Sequence, residues 1–266
     1  MLVSVIIPTH NAENTIARCL DSVLKQTYSE IEIICGDDCS SDKTMEILRN
    51  YSKMNNNITV FKNEKNSRAA FTRNECIKRA HGQIIAQIDD DDYMTPERIT
   101  KQIRFLNEHP DADFVGSTML YFDEEGIWKE SKAVYHPTKT DFLKGSPFSN
   151  PSVIFRRECL DKVGGYRVAK ETIRGQDYDL YMRLYAEGFQ GYNMNEPLTY
   201  YYRGRKGYKK TNIKIRYYEF KVRWKNFKAL GLFPKGIIYA FKPLILAIIP
   251  FSMLERIKRA LLANKG

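Results

Sequence analysis

No two of the five cysteines (Cys19, Cys35, Cys39, Cys76, Cys159) stand as CxxC, and no second Cys or His pair follows Cys35 and Cys39 at zinc-site spacing. That argues against a structural zinc module and leaves reduced thiols, as in a cytoplasmic protein. No GxGxxG follows the first apolar run, and no P-loop lysine motif occurs, so neither the dinucleotide fingerprint nor a Walker-type phosphate loop is present. Internal repeats and low-complexity tracts are lacking too. The opening "MLVSVIIPTHN" has no basic leader and no small-residue cleavage site, so no secretory signal is expected. The four histidines (His10, His81, His109, His136) share no ligand spacing and read as surface or loop residues.

Acids are scarce at one end only. Residues 201–266 hold 17 Lys and Arg against 2 acids, a balance of +15, whereas residues 1–200 hold 25 basic and 30 acidic residues, a balance of −5. A mildly acidic body thus carries a basic tail, and such tails bind phosphate-rich partners, either nucleic acid or anionic lipid. With 43% hydrophobic residues, the 266-residue chain can build one large α/β domain or two small ones.

Strand-like and helix-like segments alternate through the first hundred residues. "LVSVIIP" is a β-branched run ending at Pro8, followed by a helical pattern (Ile16, Cys19, Leu20, Val23, Leu24) with Asn14 as its expected N-cap. "IEIICGDD" is a second strand, "SSDKTMEILRNYSKM" a helix capped by Ser41 or Asp42, and "ITVFKN" a third strand. "SRAAFTRNECIKRAHG" is a helix closed by Gly82, and "QIIAQID" a fourth strand. Strands apolar on both faces between helices predict a doubly wound α/β sheet with a Rossmann-like first half. Beyond residue 100 come a helix at "PERITKQIRFLNEHP" and a strand at "ADFVGSTMLYFD". "SNPSVIFRRECLDKVGGY" reads as a strand and helix, and "GQDYDLYMRLYAEG" as an amphipathic helix burying Leu180, Met182, Leu184 and Tyr185.

Open sheets of this kind bind ligands at the carboxyl ends of their strands. Those ends carry Thr9, Asp37, Asp38 and the run Asp89, Asp90, Asp91, Asp92. Four adjacent carboxylates resist ionising together unless a cation or a network of donors neutralises them. A solvated turn is the plain reading of such a run, but its place at a strand end favours a divalent metal carrying phosphates.

Five segments in order resemble an inverting family 2 glycosyltransferase of the GT-A fold: "VSVIIPTHN", "IEIICGDDCSSDKT", "TRNECIKRAHGQIIAQIDDDD", "NPSVIFRRECLDKVGGY" and "GQDYDLYMRL". The resemblance covers about residues 2 to 203. It implies a GT-A domain at 1–203, with a nucleotide-sugar half at 1–100 and an acceptor half at 101–203, a mixed sheet, and a helical basic and apolar tail at 204–266. It further implies that Thr9 and Asp37 hold the uracil and ribose of a UDP-sugar, joined by Glu13, and that Arg73 lies near the nucleotide. Asp89 and Asp91 match the outer acids of the family's DXD, so Asp91 would touch Mg²⁺ or Mn²⁺, while Asp89 and Asp90 would serve the nucleotide-sugar. Asp177 matches the acid that deprotonates the acceptor hydroxyl, on a glycan or a lipid-linked acceptor. Asp92 is expected to orient its neighbours or to cap the helix after Pro96, and Arg203 and Arg205 to belong to a basic flap over the diphosphate. Three departures stand out: Gly36 where a β-branched residue is common, Cys39 where the family has Gly, and Gln176 where a Glu often precedes the base.

The stretch from Ile237 to Leu254 is apolar but interrupted by Lys242, Pro243 and Pro250; short and broken as it is, it favours an interfacial anchor over a span, which stays the alternative. With "NIKIRYYEFKVRWKNFKAL" upstream, it reads as an interfacial anchor that would place the protein peripherally at the inner face of the plasma membrane. A nucleic-acid-binding protein using the basic aromatic tail is the rival reading, disfavoured by the acidic strand ends, so no nucleic acid is expected as a partner. A non-catalytic relative that binds a sugar nucleotide is a second.

Overall fold

The computed structural model describes residues 1–203 and 212–248. Four parallel strands open the chain: β1 (Val3–Thr9), β2 (Ile31–Asp37), β3 (Ile58–Lys62) and β4 (Ile84–Gln87). They alternate with α1 (Ile16–Leu24), α2 (Thr44–Met54) and α3 (Arg68–Arg79). After β5 (Tyr93–Met94) and α4 (Arg98–Glu108) come β6 (Phe114–Asp123), β7 (Gly126–Glu130) and β8 (Ile154–Arg156). Then follow α5 (Arg157–Val163), α6 (Gln176–Ala186), the long β9 (Gly191–Tyr202), α7 (Ile213–Ala229) and α8 (Gly236–Ile248).

One mixed sheet joins the strands in the order β3-β2-β1-β4-β8-β6-β9-β5, with β7 paired to β6. Strand β8 runs antiparallel to both β4 and β6, and β9 runs parallel to β6. Period-two alternation divides the strand residues between two cores. Val3, Val5, Ile7, Ile33, Cys35, Ile84 and Ala86 meet Ile16, Cys19, Leu20, Leu48 and Ile99 on one face. Ile6, Ile34 and Ile85 meet Cys76, Ile77, Leu160, Leu180 and Leu184 on the other, and that cluster continues into Val222, Phe227, Leu230 and Ala240 of α7 and α8. All five cysteines are free, and four of them are buried in these layers.

Register fixes the ligand edge. Thr9 pairs with Asp37 across β1 and β2, while Ile6 pairs with Gln87 of β4, so the acidic segments leave the sheet at one edge. Tight packing explains Gly36: a Cβ there would lie 2.6 Å from Cζ of Phe61 and 2.8 Å from Cγ2 of Thr72, so α3 could not close onto β2. Cys39 sits at φ +62°, the left-handed turn that a side chain resists.

Several local expectations are corrected. Helix α1 begins at Ile16 after Thr15, and Asn14 is not its cap. Helix α2 begins after Lys43, so neither Ser41 nor Asp42 stands at its N-cap, although the Asp42 carboxylate, one residue earlier, accepts from the Thr44 N–H at 3.0 Å. Gly82 does not close α3, which ends at Arg79 with Ala80 extended. It instead lets the chain pass Leu2 and Ser4, where a Cβ would come within 2.8 Å of backbone. The apolar stretch predicted from 237 is helical to Ile248, and its remainder lies outside the described residues.

Candidate active site

Two clefts open at the carboxyl edge of the sheet and share one ion pair. The first, of about 260 Å³, is lined by Thr9, His10, Asp38, Thr72, Arg73, Asp89, Asp90 and Asp91 among others. The second, of about 580 Å³, includes Arg73 and Asp89 again, with Tyr121, Asn150, Arg174, Gln176, Asp177 and Arg203. Where they meet, Nη2 of Arg73 donates to Asp89 at 2.5 Å. Arg73 is almost wholly buried, and its Nε and Nη1 find no partner among the described residues. Burial opposes its charge, yet Asp89, Tyr166 and Asp177 nearby more than offset this and keep the guanidinium protonated. A buried guanidinium that borders both clefts, with two of its nitrogens unpaired among the described residues behind the wall, makes the junction favourable for an anionic group.

The adjacent acids after β2 divide their work. Asp37 is fully buried behind the cleft, accepting from the Ser40 N–H at 3.2 Å and from the Ser40 hydroxyl, with Lys62 at 3.6 Å. Asp38 lines the cleft itself. Its Oδ1 accepts from Asn63 (2.9 Å) and the Ser67 N–H (2.8 Å), and its Oδ2 from the Arg68 N–H (2.6 Å). A carboxylate offers about four acceptor positions, so one on Asp38 is left for a ligand N–H. Thr9 is buried in the wall, its hydroxyl donating to the Gly36 carbonyl at 3.2 Å. Glu13 is turned away from both clefts: it accepts from the Lys43 N–H at 3.0 Å and its own N–H donates to Asp42, an exchange at the start of α2.

The acid run is held under tension. Burial first, then Asp91 and Asp89, pushes Asp90 up to about 7, although the His10 N–H donates to it at 2.9 Å. Burial and Asp89 push Asp91 up to about 6. Asp92 is buried completely and raised well above the usual range by burial, Asp89 and Asp91. It does not cap α4. Its Oδ1 accepts from the Tyr202 N–H at 2.8 Å, tying the acid loop to β9, and its Oδ2 has no partner among the described residues. Beneath it lies Arg98, wholly buried and lowered to about 9 by burial even though Asp92 favours its charge.

Asp177 stands in the first turn of α6, after Gly175 at φ +76°. Burial raises its pKa, against the Tyr178 N–H and Arg73, which lower it. Arg203 lines the same cleft, with its guanidinium 5.6 Å from the Tyr121 ring centroid and its carbonyl accepting from Trp128 Nε1 at 2.9 Å. Arg205 lies outside the described residues.

Sequence reading missed the floor between the clefts. Asn150 donates to Gln87 Oε1 at 3.2 Å, and its own Oδ1 accepts from Tyr166 (2.9 Å) and Tyr181 (3.3 Å). Tyr166 supports the Arg73 guanidinium, 5.5 Å from its ring centroid. His10 was read only as a loop residue, yet it lines the first cleft and its Nε2 meets Asn66 at 3.0 Å. Only the resembling segments "NPSV" and "VGGY" hinted at Asn150 and Tyr166.

Four parallel strands alternating with helices, extended by antiparallel β8 and by β6 and β9 into one mixed sheet with acids at its carboxyl edge, have the architecture of a GT-A glycosyltransferase. The "Glycosyl transferase family 2" model matches residues 4–168, and the chain belongs to that family. EpsE of Bacillus subtilis (strain 168) is 33% identical over 264 residues, covering 99% of this chain and 95% of that one. WfaP of Escherichia coli, named as a UDP-Glc:alpha-D-GlcNAc-diphosphoundecaprenol beta-1,3-glucosyltransferase, is 31% identical over 204 residues, 75% of this chain and 76% of its own. Among solved structures, the crystal structure of S. aureus TarS 1–349 in complex with UDP-GlcNAc superposes with a TM-score of 0.72 at 21% identity, over 91% of this chain and 73% of that one. The expected family, the GT-A fold and the enzyme class are therefore established.

Proposed function

We propose that the protein moves a sugar, with inversion, from a UDP-sugar to a hydroxyl of a glycan or lipid-linked acceptor. The observation that carries this reading is the meeting of the two clefts at Arg73 and Asp89, with the acid run on one side and Asp177 on the other. A donor in the first cleft would present its anomeric carbon at that junction to an acceptor in the second.

In the first cleft, the remaining acceptor position on Asp38 suits the imide N–H of uracil, and Thr9 closes the wall beside it. Asp37 supports this turn from behind. At the junction, the Arg73 guanidinium borders both clefts, and its positive charge would face the departing diphosphate. Asp177 takes the proton from the acceptor hydroxyl, and burial makes it a stronger base than an exposed carboxylate. The second cleft runs on past Tyr121, Ser146 and Ser149 into a groove of about 660 Å³, room for an extended acceptor.

The donor set fits a hard cation. Asp90 and Asp91 line the first cleft beside Asp89 as carboxylates raised by burial and by neighbouring acids, oxygen donors that a divalent cation would stabilise in their charged form. No group of three or more converging His, Cys, Asp or Glu side chains exists among the described residues, so the nucleotide's phosphates would complete the coordination. Mg²⁺ or Mn²⁺ held chiefly by Asp91 would offset the charge on the leaving diphosphate.

Calorimetry of UDP with and without Mn²⁺ tests the donor site: binding is expected to depend on the metal and to be lost in Asp91→Ala. Asp177→Asn is expected to bind UDP as the native chain does while UDP release from a UDP-sugar and acceptor falls at least a thousandfold. Metal-independent binding would remove the DXD assignment, and retained turnover would remove the base.

A further inference from the structure

The acid clefts leave the last two described helices unexplained. Helix α7 turns Val222, Asn226 and Phe227 inward, and α8 turns Gly236, Ala240 and Pro243 inward. Ile213, Tyr217, Phe220 and Trp224 recur at spacings of four, three and four, a single stripe along α7 in which Phe220 is half-buried against the core and the other three are exposed. On α8, Ile238, Phe241, Ile245 and Ile248 recur at three, four and three. The two stripes touch, for Phe241 lies 4.9 Å from Phe220 and 5.8 Å from Trp224 by ring centroids. The result is one continuous apolar face spanning two helices, with Ile238 75% and Ile248 82% exposed. Scattered exposed apolar residues are ordinary, but a contiguous face marks an interaction site.

Beside the α7 stripe, Lys214, Lys221, Lys225 and Lys228 recur at helical spacing, all exposed. The acids in reach are few: Glu219 is paired with Arg216 at 2.9 Å, and Glu171 lies 3.6 Å from Lys221. Residues 249–266 continue the same mixture in sequence, with Phe251, Met253, Leu254, Arg256, Lys258 and Arg259. No helix among the described residues is long and apolar enough to cross a membrane.

We propose that the joined outer face of α7 and α8 lies on an anionic lipid surface, its isoleucines and aromatics in the interfacial region and its lysines at the headgroups. Charge selects this occupant. A second copy of the chain would bring one lysine row against another, and nucleic acid would match the lysines but leave the protruding isoleucines without apolar partners. Lipid rewards both features. Helix α7 also packs against the short 3-10 helix Lys170–Thr172, and α8 against the 3-10 helix Lys139–Leu143, where Arg223 Nη1 of α7 donates to the Leu143 carbonyl at 3.3 Å. The helix Lys170–Thr172 leads directly to Ile173 and Arg174 of the second cleft, so the lipid surface would lie on the acceptor side of the enzyme. Such a contact would be peripheral.

The test is co-sedimentation of the full chain with phosphatidylcholine vesicles, with and without about one-third phosphatidylglycerol, with circular dichroism as the check of folding. The native chain is expected to bind the anionic vesicles and to bind less as salt rises. The double variant Ile238→Glu, Ile245→Glu is expected to lose at least tenfold in binding, and Lys225→Ala with Lys228→Ala about fivefold per lysine. Binding that survives the glutamate pair would overturn the proposal, because some other surface or residues 249–266 would then carry it. So would an absence of vesicle binding, or RNA binding of equal strength that the glutamate pair leaves intact.

Discussion

At the scale of single residues, the acid run is costly to fold around and sensitive to protons. Asp90 rises to about 7 and Asp91 to about 6, both far above an ordinary carboxylate, because burial disfavours their charge and each faces other acids. The folded chain therefore keeps protons on these groups where the unfolded chain has lost them. Stability from this source is greatest below about pH 4 and falls as pH rises towards 7. In a chelating buffer, Asp90→Asn is expected to melt several degrees above the native chain at pH 8 and to match it near pH 4. Taking the difference between the two proteins cancels acids such as Glu32 and Glu75, which are lowered and act in the opposite sense. A gap that stays constant across pH would mean that Asp90 is charged throughout. The acids at the strand ends were legible from their position alone. Which of Asp37 and Asp38 faces the cleft was not, because that depends on Asn63, Ser67 and Arg68, supplied by another strand and helix.

Among the elements, the junction of α6 with α7 is held by polar groups as well as by packing. Asp179 is fully buried two residues beyond Asp177. It accepts from Arg183 at 2.8 Å and Asn226 at 2.9 Å, with Arg167 at 2.9 Å. Removing one partner of such a group leaves an uncompensated buried charge. Asp179→Ala strands two arginines and an asparagine, and is expected to cost about 3–5 kcal/mol in urea unfolding. Asn226→Ala, which leaves both arginines in place, is expected to cost about 1–2 kcal/mol. Equal losses would show that packing rather than the carboxylate holds α7. Helix α6 was readable from its periodicity, but the staple was not, since its partners come from loops and helices up to 47 residues away. Strand β9 was similarly obscure. It carries Pro197 and buries the polar Asn193 and Thr199, so it lacks the apolar run that revealed β1 to β4, whose two faces are both covered. The order β4-β8-β6 was beyond local pattern too, because antiparallel β8 inserts from a distant part of the chain.

Across the whole molecule, the two halves communicate at one buried cation. Arg73 comes from α3 in the first half, binds Asp89 just after β4, lies near Tyr166 from the second half and borders both clefts. If it serves the donor alone, changing it weakens donor binding and leaves the rate at saturating donor intact. Under the proposed reaction, the place of its guanidinium between the clefts argues for a second role, stabilising charge on a departing diphosphate while Asp177 serves as the proposed base. Lysine keeps the charge but loses the planar fork, so Arg73→Lys separates the two roles. Loss of one charge-assisted hydrogen bond is worth about 1.5–3 kcal/mol, or roughly tenfold to a hundredfold. Arg73→Lys is therefore expected to raise the KM for the UDP-sugar about tenfold and to lower kcat by tenfold or more, measured as UDP release with saturating acceptor. A kcat unchanged at saturating donor would confine Arg73 to binding and leave the meeting of the clefts without a catalytic part.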